Sequence, residues 1–139
     1  MDNPIRPKLD TFRLVSATIK NVDNMHLKHR AWSFVIDSEF AFGALFHEDK
    51  PARITLNINI SINGTPSDDG EGTAEFNAHY QVGFEVPIEF NQEEIDTAMV
   101  KDDNLQHLLA SQAYLLCISD LRGMVQNAGF DPKAISYTY

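Results

Sequence analysis

The side chains that could do chemistry in this chain of 139 residues are few and scattered. The single cysteine, Cys117, lies within an apolar helical pattern, where a thiol behaves as a small hydrophobic group rather than as a nucleophile. His26 and His29 are three residues apart, but no cysteine or carboxylate-rich motif accompanies them, which favours surface histidines over a metal site. The acidic run Asp68–Glu71 lacks the alternating oxygen ligands of a calcium loop and is typical of a solvated turn.

No catalytic or nucleotide-binding motif accompanies these residues. The sequence contains no Gly-x-Ser-x-Gly nucleophile elbow, no Gly-x-x-x-x-Gly-Lys phosphate loop and no Gly-x-Gly-x-x-Gly turn after a strand. A pocket for a small ligand between sheet and helix would need inward-facing carboxylates or histidines, which the two most regular strands lack. We therefore expect no catalytic residue, no metal and no cofactor, and a protein that works by binding other proteins.

The charge balance bears on which partners are possible. Eleven Lys and Arg against twenty Asp and Glu give a formal charge of −9, which repels nucleic acid and anionic membrane surfaces. An acidic surface promotes solubility, and it also suits a basic or unfolded polypeptide partner. A lone cysteine indicates a reducing compartment, and the sequence shows neither a signal peptide nor the ~20 apolar residues of a membrane span. These features predict a cytoplasmic protein without membrane insertion.

The apolar pattern places the chain in one α+β domain. Residues 1–9 hold two prolines and are predicted to be an extended N-terminal tail, with 10–139 as a single domain. Thr11–Val22 is rich in β-branched residues, which favours a strand. From Trp32 to Phe46 apolar residues recur with a period of two, with Ser38 and Ala44 filling the same face, which predicts a second, long strand.

Two further strands have the clearest alternation in the chain. In Ile54–Ile62, isoleucine and leucine alternate with Thr, Asn and Ser, so one face is core and the other faces water. Ala74–Val86 repeats the period of two until Pro87 ends it. The turn-rich loop Gly64–Gly72 joins these strands, which are expected to pair. The predicted sheet therefore has four antiparallel strands.

Two helices are predicted after the sheet. Asn91 with Glu94 three residues later resembles a capping box and opens a short helix. Asp102–Asn104 can cap a second, longer helix. That helix is expected to end just before Gly129, which suits a left-handed C-terminal position, and Pro132 prevents its continuation.

The long helix is expected to leave apolar surface uncovered. A sheet of four strands is roughly 15–20 Å wide, whereas a helix with its side chains is about 10–12 Å across. A stripe beginning at Leu105 could cover the sheet, while a second stripe, rotated by about 130°, would point elsewhere. We therefore predict a homo-oligomer, a dimer or a tetramer, because exposed apolar area of this size usually marks an interaction surface. The predicted interface residues are Tyr114, Cys117, Ile118, Leu121 and Val125.

The aromatic residues of the second strand suggest a groove for extended apolar peptides. The alternative is that these residues are ordinary core, and some can do both. The predicted client-binding residues are Trp32, Phe34, Phe40, Phe42 and Phe46.

The C-terminal part of the chain carries a family resemblance. After four strands and a short helix, the runs Tyr114–Leu121, Asn127–Pro132 and Ile135–Tyr137 resemble the SecB family of protein-export chaperones. The resemblance implies an ATP-independent holdase, a dimer of dimers whose long apolar grooves receive unfolded or precursor polypeptides. It leaves open two roles, delivery of clients to a translocase motor and service to one dedicated client, as in toxin–antitoxin systems. The alternative function is an oligomeric structural or assembly protein with the same fold and no client binding.

Overall fold

The computed structural model describes residues 5–21, 32–47, 50–66, 73–87 and 90–135, without the side chains of Asn21, Phe46, His47 and Ala134. In chain order the elements are β1 (Lys8–Asn21), β2 (Trp32–His47), β3 (Lys50–Pro66), β4 (Ala74–Glu85), α1 (Gln92–Lys101), α2 (Asp103–Asn127) and a 3-10 turn (Pro132–Ala134). All three strand pairings are antiparallel. The predicted α+β fold, a four-stranded antiparallel sheet followed by a short and a long helix, is confirmed.

The strand order in the sheet is β1-β4-β3-β2. β2, β3 and β4 follow one another as neighbours, while β1 lies beside β4, which is a Greek-key arrangement. The pairing of β3 with β4 is thus as predicted. β1 and β2 are the edge strands, and no described residue pairs with the outer side of either.

The two faces of the sheet differ sharply in polarity. On the helix side, Ile58 lies between Phe40 on β2 and Tyr80 on β4, and both Ile58 and Tyr80 are fully buried. On the other side, Asn57 is paired with Gln81, and polar side chains follow one another along both strands. The alternation in the sequence therefore separates a dry face from a wet face, as the period of a strand requires.

The helices begin at the residues that the sequence marks. The Asn91 side chain accepts from the Glu94 N–H at 2.8 Å, and the Glu94 carboxylate accepts from the Asn91 N–H at 3.3 Å, so the capping box is formed. The Asp102 carboxylate accepts from the Leu105 N–H at 3.1 Å and caps α2. Among the described residues, no helix is long and apolar enough to cross a membrane.

The end of α2 is a Schellman motif that reverses the chain. Gly129 has φ of 100°, the left-handed region that favours glycine. The Gly129 N–H donates to the Gln126 carbonyl at 3.0 Å and the Phe130 N–H donates to the Val125 carbonyl at 3.1 Å, the two bonds that define the motif. Phe130 is thereby returned to the sheet and is only 4% exposed.

Two boundaries differ from the sequence-based expectation. β1 begins inside the predicted tail, at Lys8, because this residue pairs with Glu85 on β4. β3 continues through Gly64 into the predicted loop, because Gly64 is flanked by Phe34 on one side and Ala74 on the other. The remainder of that loop, residues 67–72, lies outside the described residues.

α2 buries one broad face against the sheet rather than presenting two stripes. The five residues predicted for the oligomer interface, Tyr114, Cys117, Ile118, Leu121 and Val125, are each at most 2% exposed within the single chain. Leu105 and Leu109, assigned to the other stripe, are buried as well. The stripe that carries the predicted interface residues therefore packs into the chain's own core, and the premise that it points away from the sheet was wrong. The apolar residues that do point outward are Leu108 and Leu115, each about half exposed.

β1 is irregular, and a bulge helps to attach it to the sheet. Its register shifts at Asp10 and at Val15. Asp10 forms a 2.6 Å ion pair with Arg53, which reaches over β4 from β3. Gly83 leaves room for this crossing, since a Cβ there would lie 2.3 Å from Thr11 Oγ1 and 3.0 Å from Arg53 Nη2.

The burial of Cys117 predicts how its thiol reacts. Cys117 is 0% exposed, and burial, reinforced by Asp120, raises its pKa to about 12. Because the thiolate is the reactive form, we expect a disulfide reagent at pH 8 to label the native protein only as fast as it opens, and the denatured protein at once. Rapid labelling of the native protein would contradict the placement of α2.

The same burial predicts a loss of stability at alkaline pH. The thiol of Cys117 has a higher pKa in the folded chain than in the unfolded chain. It therefore contributes fully to the stability of the fold only at a pH where it is protonated in both states. The contribution of Cys117 is therefore fully present below its ordinary pKa of 9.0 and is lost as the pH rises toward about 12. Urea denaturation of the wild type and of Cys117→Ala should show a steeper alkaline fall for the wild type.

Candidate functional site

β2 presents a row of half-buried aromatic side chains on the helix side of the sheet. Helix-side residues of β2 are partly exposed, whereas their neighbours on β3 are fully buried: Phe40 lies opposite Ile58, and Phe42 lies opposite Leu56. The difference arises because β2 is an edge strand, with β3 on one side and no described strand on the other. The row is therefore both a wall of the core and an accessible surface.

The row ends in a cluster of four aromatic rings, which we call the aromatic cluster: Trp32, Phe34, Phe76 and Phe130. The Phe130 ring lies 5.0 Å from Trp32, 6.0 Å from Phe34 and 5.5 Å from Phe76, in each case nearly perpendicular to the other ring. Perpendicular packing places ring edges against ring faces, which is favourable for aromatic pairs. The Schellman motif after α2 thus positions the central ring of the cluster.

A glycine makes room for the two rings that β2 contributes. Gly64 pairs with Phe34 across the β2–β3 ladder. A Cβ at this position would lie 2.7 Å from one Phe34 ring carbon and 3.4 Å from a Trp32 ring carbon. The Phe34 ring therefore occupies the space that any other residue at position 64 would fill.

Trp32 has a buried hydrogen-bond donor without an acceptor. Its Nε1 is enclosed and has no partner among the described residues. An unpaired buried N–H costs about 1–3 kcal/mol, so the cluster carries an unsatisfied donor that a carbonyl oxygen could relieve.

The structure brings together only part of the predicted client-binding set. Trp32 and Phe34 meet in the aromatic cluster, while Phe40 lies further along β2, with its ring 6.5 Å from Tyr114 of α2. Phe42 continues the row, and the side chain of Phe46 lies outside the described part.

Sequence reasoning missed two rings of the cluster and the glycine beside it. Phe76 was assigned to the core face of β4 without a role, and Gly64 was assigned to a loop. The third, Phe130, had a usable signal: a large apolar residue directly after the helix-ending Gly129 is where a Schellman motif makes its hydrophobic contact.

β1 carries a second apolar surface, which we call the β1 row. The two helices do not cover the helix side of β1, although each helix-side residue of β1 pairs with a buried residue of β4. Its large members are Leu9, Phe12, Leu14 and Ile19, which are 38–47% exposed. Phe12 stacks on Tyr80 with ring centroids 5.5 Å apart, so the β1 row is continuous with the core.

The polar face of the sheet has shallow recesses, and the Arg and His side chains on it already have hydrogen-bond or ion-pair partners. A recess of about 300 Å³ contains Arg13 and Arg53, and these cations are already engaged: Arg13 donates to Gln81 at 2.9 Å, and Arg53 pairs with Asp10. His79 lies 3.1 Å from the Asn57 side chain.

Within the described ranges, no group of three or more His, Cys, Asp and Glu side chains could hold a metal ion. The two histidines weighed as ligands, His26 and His29, lie outside the described residues.

The fold of this chain matches known structures. No family model and no curated protein matches it by sequence. Nine solved chains match by structure. Among them is the SecB-like chaperone Rv1957 of Mycobacterium tuberculosis, solved in complex with a ChAD peptide from the antitoxin HigA1 (Rv1956). That match has a TM-score of 0.64 and 10% sequence identity, and covers 94% of this chain and 90% of that chain. The fold is therefore SecB-like.

The contact at Gly64 predicts the effect of a single methyl group. Gly64→Ala should displace the Phe34 ring and with it Trp32, which is the only tryptophan and hence a clean fluorescence probe. We expect a shifted emission maximum and a loss of about 1–3 kcal/mol in the free energy of unfolding, as for other overpacked sites. Gly43→Ala is the matched control, because Gly43 lies on β2 with nothing within 4 Å of its Cβ. Equal effects of the two substitutions would contradict the geometry.

Proposed function

We propose that this protein is an ATP-independent holdase chaperone that binds unfolded or precursor polypeptides along the aromatic row of β2. The observation that carries the proposal is the row itself, partly exposed at an edge strand and ending in the aromatic cluster. The SecB-like fold supports it, since the similar chaperone from Mycobacterium tuberculosis is in complex with a peptide.

The row has the chemistry that holding an extended chain requires. Aromatic faces accept aliphatic and aromatic side chains of many shapes, which suits clients without a fixed sequence. Binding by burial of apolar surface needs no nucleotide, because no step of it consumes free energy. The charge of −9 adds attraction for basic segments.

We place the contact between copies of the chain at the β1 row, rather than at the buried face of α2. In this contact the two β1 strands pair antiparallel, with Phe12 opposite the partner subunit's Ile19. Leu14 then lies opposite the partner subunit's Ala17, so the apolar rows of the two strands lie on the same face of the joined sheet. Such a two-fold contact buries the same patch on both subunits. Two of these dimers could form a tetramer through the outward Leu108 and Leu115 of α2.

The setting of this activity is also proposed. We infer a cytoplasmic chaperone acting in protein export, where a translocase motor would receive the client, or acting for one dedicated client. The competing function is an oligomeric assembly protein, favoured by the β1 row because fixed subunit contacts would cover that surface. It predicts the same oligomer without affinity for unfolded chains.

Truncating the aromatic row should weaken client holding. Phe34→Ala and Phe42→Ala each remove an accessible ring, and we expect the Kd for an unfolded client to rise roughly fivefold to thirtyfold, the effect of losing about 1–2 kcal/mol. The measurement is light scattering of a denatured client diluted without nucleotide, with Trp32 fluorescence for the titration. The control is Val100→Ala, an apolar residue of α1 that is 77% exposed. Unchanged holding in both aromatic variants would rule out this site, and a wild type that holds no client would favour the assembly protein.

A charge on the β1 row should break the oligomer and spare client holding. Leu14→Asp places a carboxylate in the proposed subunit contact, and we expect the native mass by light scattering to fall to that of a smaller species. Thr18→Asp adds the same charge to the polar face of the same strand and should leave the mass unchanged. If the wild type is a monomer, or if the Leu14→Asp variant keeps the native mass of the wild-type oligomer, the proposed contact is refuted.

A further inference from the structure

Asn63 and Gly64 form the one Asn-Gly pair in the sequence, and they lie on β3 beside the aromatic cluster. Asn63 is exposed on the polar face, whereas Gly64 is buried between Phe34 on β2 and Ala74 on β4. Position 64 is restricted to glycine, because the Phe34 ring occupies the space of a Cβ. The packing of the cluster therefore places a residue without a side chain directly after an exposed asparagine.

These two residues can react with each other. The Gly64 amide nitrogen attacks the side-chain carbonyl carbon of Asn63, the new C–N bond closes a five-membered succinimide, and the Asn63 side-chain nitrogen leaves as ammonia with the proton of the Gly64 N–H. Water then opens the ring at one of its two carbonyls. The product is aspartate, or isoaspartate, in which the main chain runs through the former side chain. Glycine favours the attack because it has no Cβ beside the attacking nitrogen. The only co-reactant is water.

The other asparagines on the polar face of β3 lack these features. Asn57 and Asn59 each precede an isoleucine, whose branched Cβ shields the amide nitrogen that would attack. The side chain of Asn57 is also held by His79 at 3.1 Å. The Asn63 amide has no hydrogen-bond partner among the described residues, so it is free to turn toward Gly64. Asn63 is therefore the reactive asparagine of this strand.

The folded sheet opposes the reaction without preventing it. The extended backbone of a strand turns each amide nitrogen away from the preceding side chain, so the ring closes only after rotation about the Asn63 Cα–C bond. That rotation breaks the pairing of Gly64. Gly64 and Ala74 are the last pair of the β3–β4 ladder, and Gly64 is the third residue from the end of the β2–β3 ladder. Ends of elements open more readily than their centres, so opening of this end of the sheet suffices.

We propose that Asn63 is a site of spontaneous deamidation to aspartate and isoaspartate in the folded protein, reached through opening of this end of the sheet. A carboxylate at position 63 lies directly opposite Glu75 on β4, which is destabilising. Isoaspartate also adds a backbone atom before Gly64, so the residues after it no longer match the register of Phe34 and Trp32. Deamidation thus disturbs the aromatic cluster. The inference does not depend on the proposed function, since no client takes part in it.

The first test locates the reaction. The folded chain and the chain in urea are incubated at pH 8, peptide mapping follows the mass change from amide to acid, and an isoaspartyl methyltransferase is the reagent that labels isoaspartate. In the folded chain we expect product at Asn63 ahead of Asn57 and Asn59. The rate should be at least tenfold lower than in urea, because the ladder must open first. Absence of product at Asn63 in the folded chain, or equal rates in both states, overturns the proposal.

The second test distinguishes opening of the strand end from unfolding of the whole chain. Leu109→Ala removes a fully buried side chain of α2 and should raise the unfolded population roughly thirtyfold or more, as measured by urea denaturation. If only the strand end opens, the rate at Asn63 should change by less than about twofold. If this variant does not fold by circular dichroism, Ile118→Val supplies a smaller increase at another fully buried position. A rate that rises in step with the unfolded population overturns local opening.

The third test connects the modification with the aromatic cluster. The emission of Trp32 in the wild type should shift in proportion to the isoaspartate formed. Asn63→Gln is the matched control, because glutamine keeps an amide but would have to close a six-membered ring. Asn63→Asp carries the charge without the extra backbone atom, and we expect a smaller shift. No shift in the deamidated wild type, or an equal shift in Asn63→Gln after the same incubation, overturns the effect on the cluster. An equal shift in Asn63→Asp overturns the change of register.

Discussion

The structure depends on one constraint of size: a single long helix must close one face of a four-stranded sheet. α2 meets the constraint by lying over the inner strands, where Ile58, Tyr80 and Tyr114 are almost completely buried. A hydrogen bond fixes its position, because the Tyr80 hydroxyl donates to Asp120 at 2.7 Å. Burial, reinforced by this carboxylate, raises the pKa of Tyr80 well above its usual value, so the phenol remains a donor. The core is complete over β3 and β4 and incomplete over both edges.

The two edges are incomplete in different ways. Aliphatic residues and one aromatic ring lie along β1, beyond the reach of the helices and exposed to a similar extent at each position. On β2 the side chains are aromatic, half-covered by α2 and by Phe130. A mostly aliphatic row suits a contact that is always made with the same partner, since close packing can then be matched to one surface. A row of aromatic rings suits variable partners, because their faces tolerate different shapes.

The elements were predictable from the sequence because their signals are local. Alternation located β2, β3 and β4, β-branched residues located β1, and caps at Asn91 and Asp102 located the helices. Strand order was not predictable, since the period of a strand gives its faces and not its neighbours. The interface prediction failed for a related reason: apolar residues on α2 about 130° apart suggested two directions, but a helix lying on a twisted sheet buries a face that wide. The aromatic cluster brings Phe76 and Phe130 to the two rings of β2, beside Gly64, over distances along the chain that no local pattern spans.

The signs of charge on the two edges impose a further requirement. The polar side of β2 carries Asp37 and Glu39, whereas the polar side of β1 carries Arg13 and Lys20. Head-to-tail pairing of β1 with β2 of another copy would therefore be electrostatically attractive and could extend without limit. The bulges of β1 oppose it: β1 shifts register at Asp10 and at Val15, so its alternation does not match the part of β2 from Trp32 to Leu45, which pairs with β3 without a shift. The edge of β2 is thus regular over this part, while the edge of opposite charge on the same molecule is irregular.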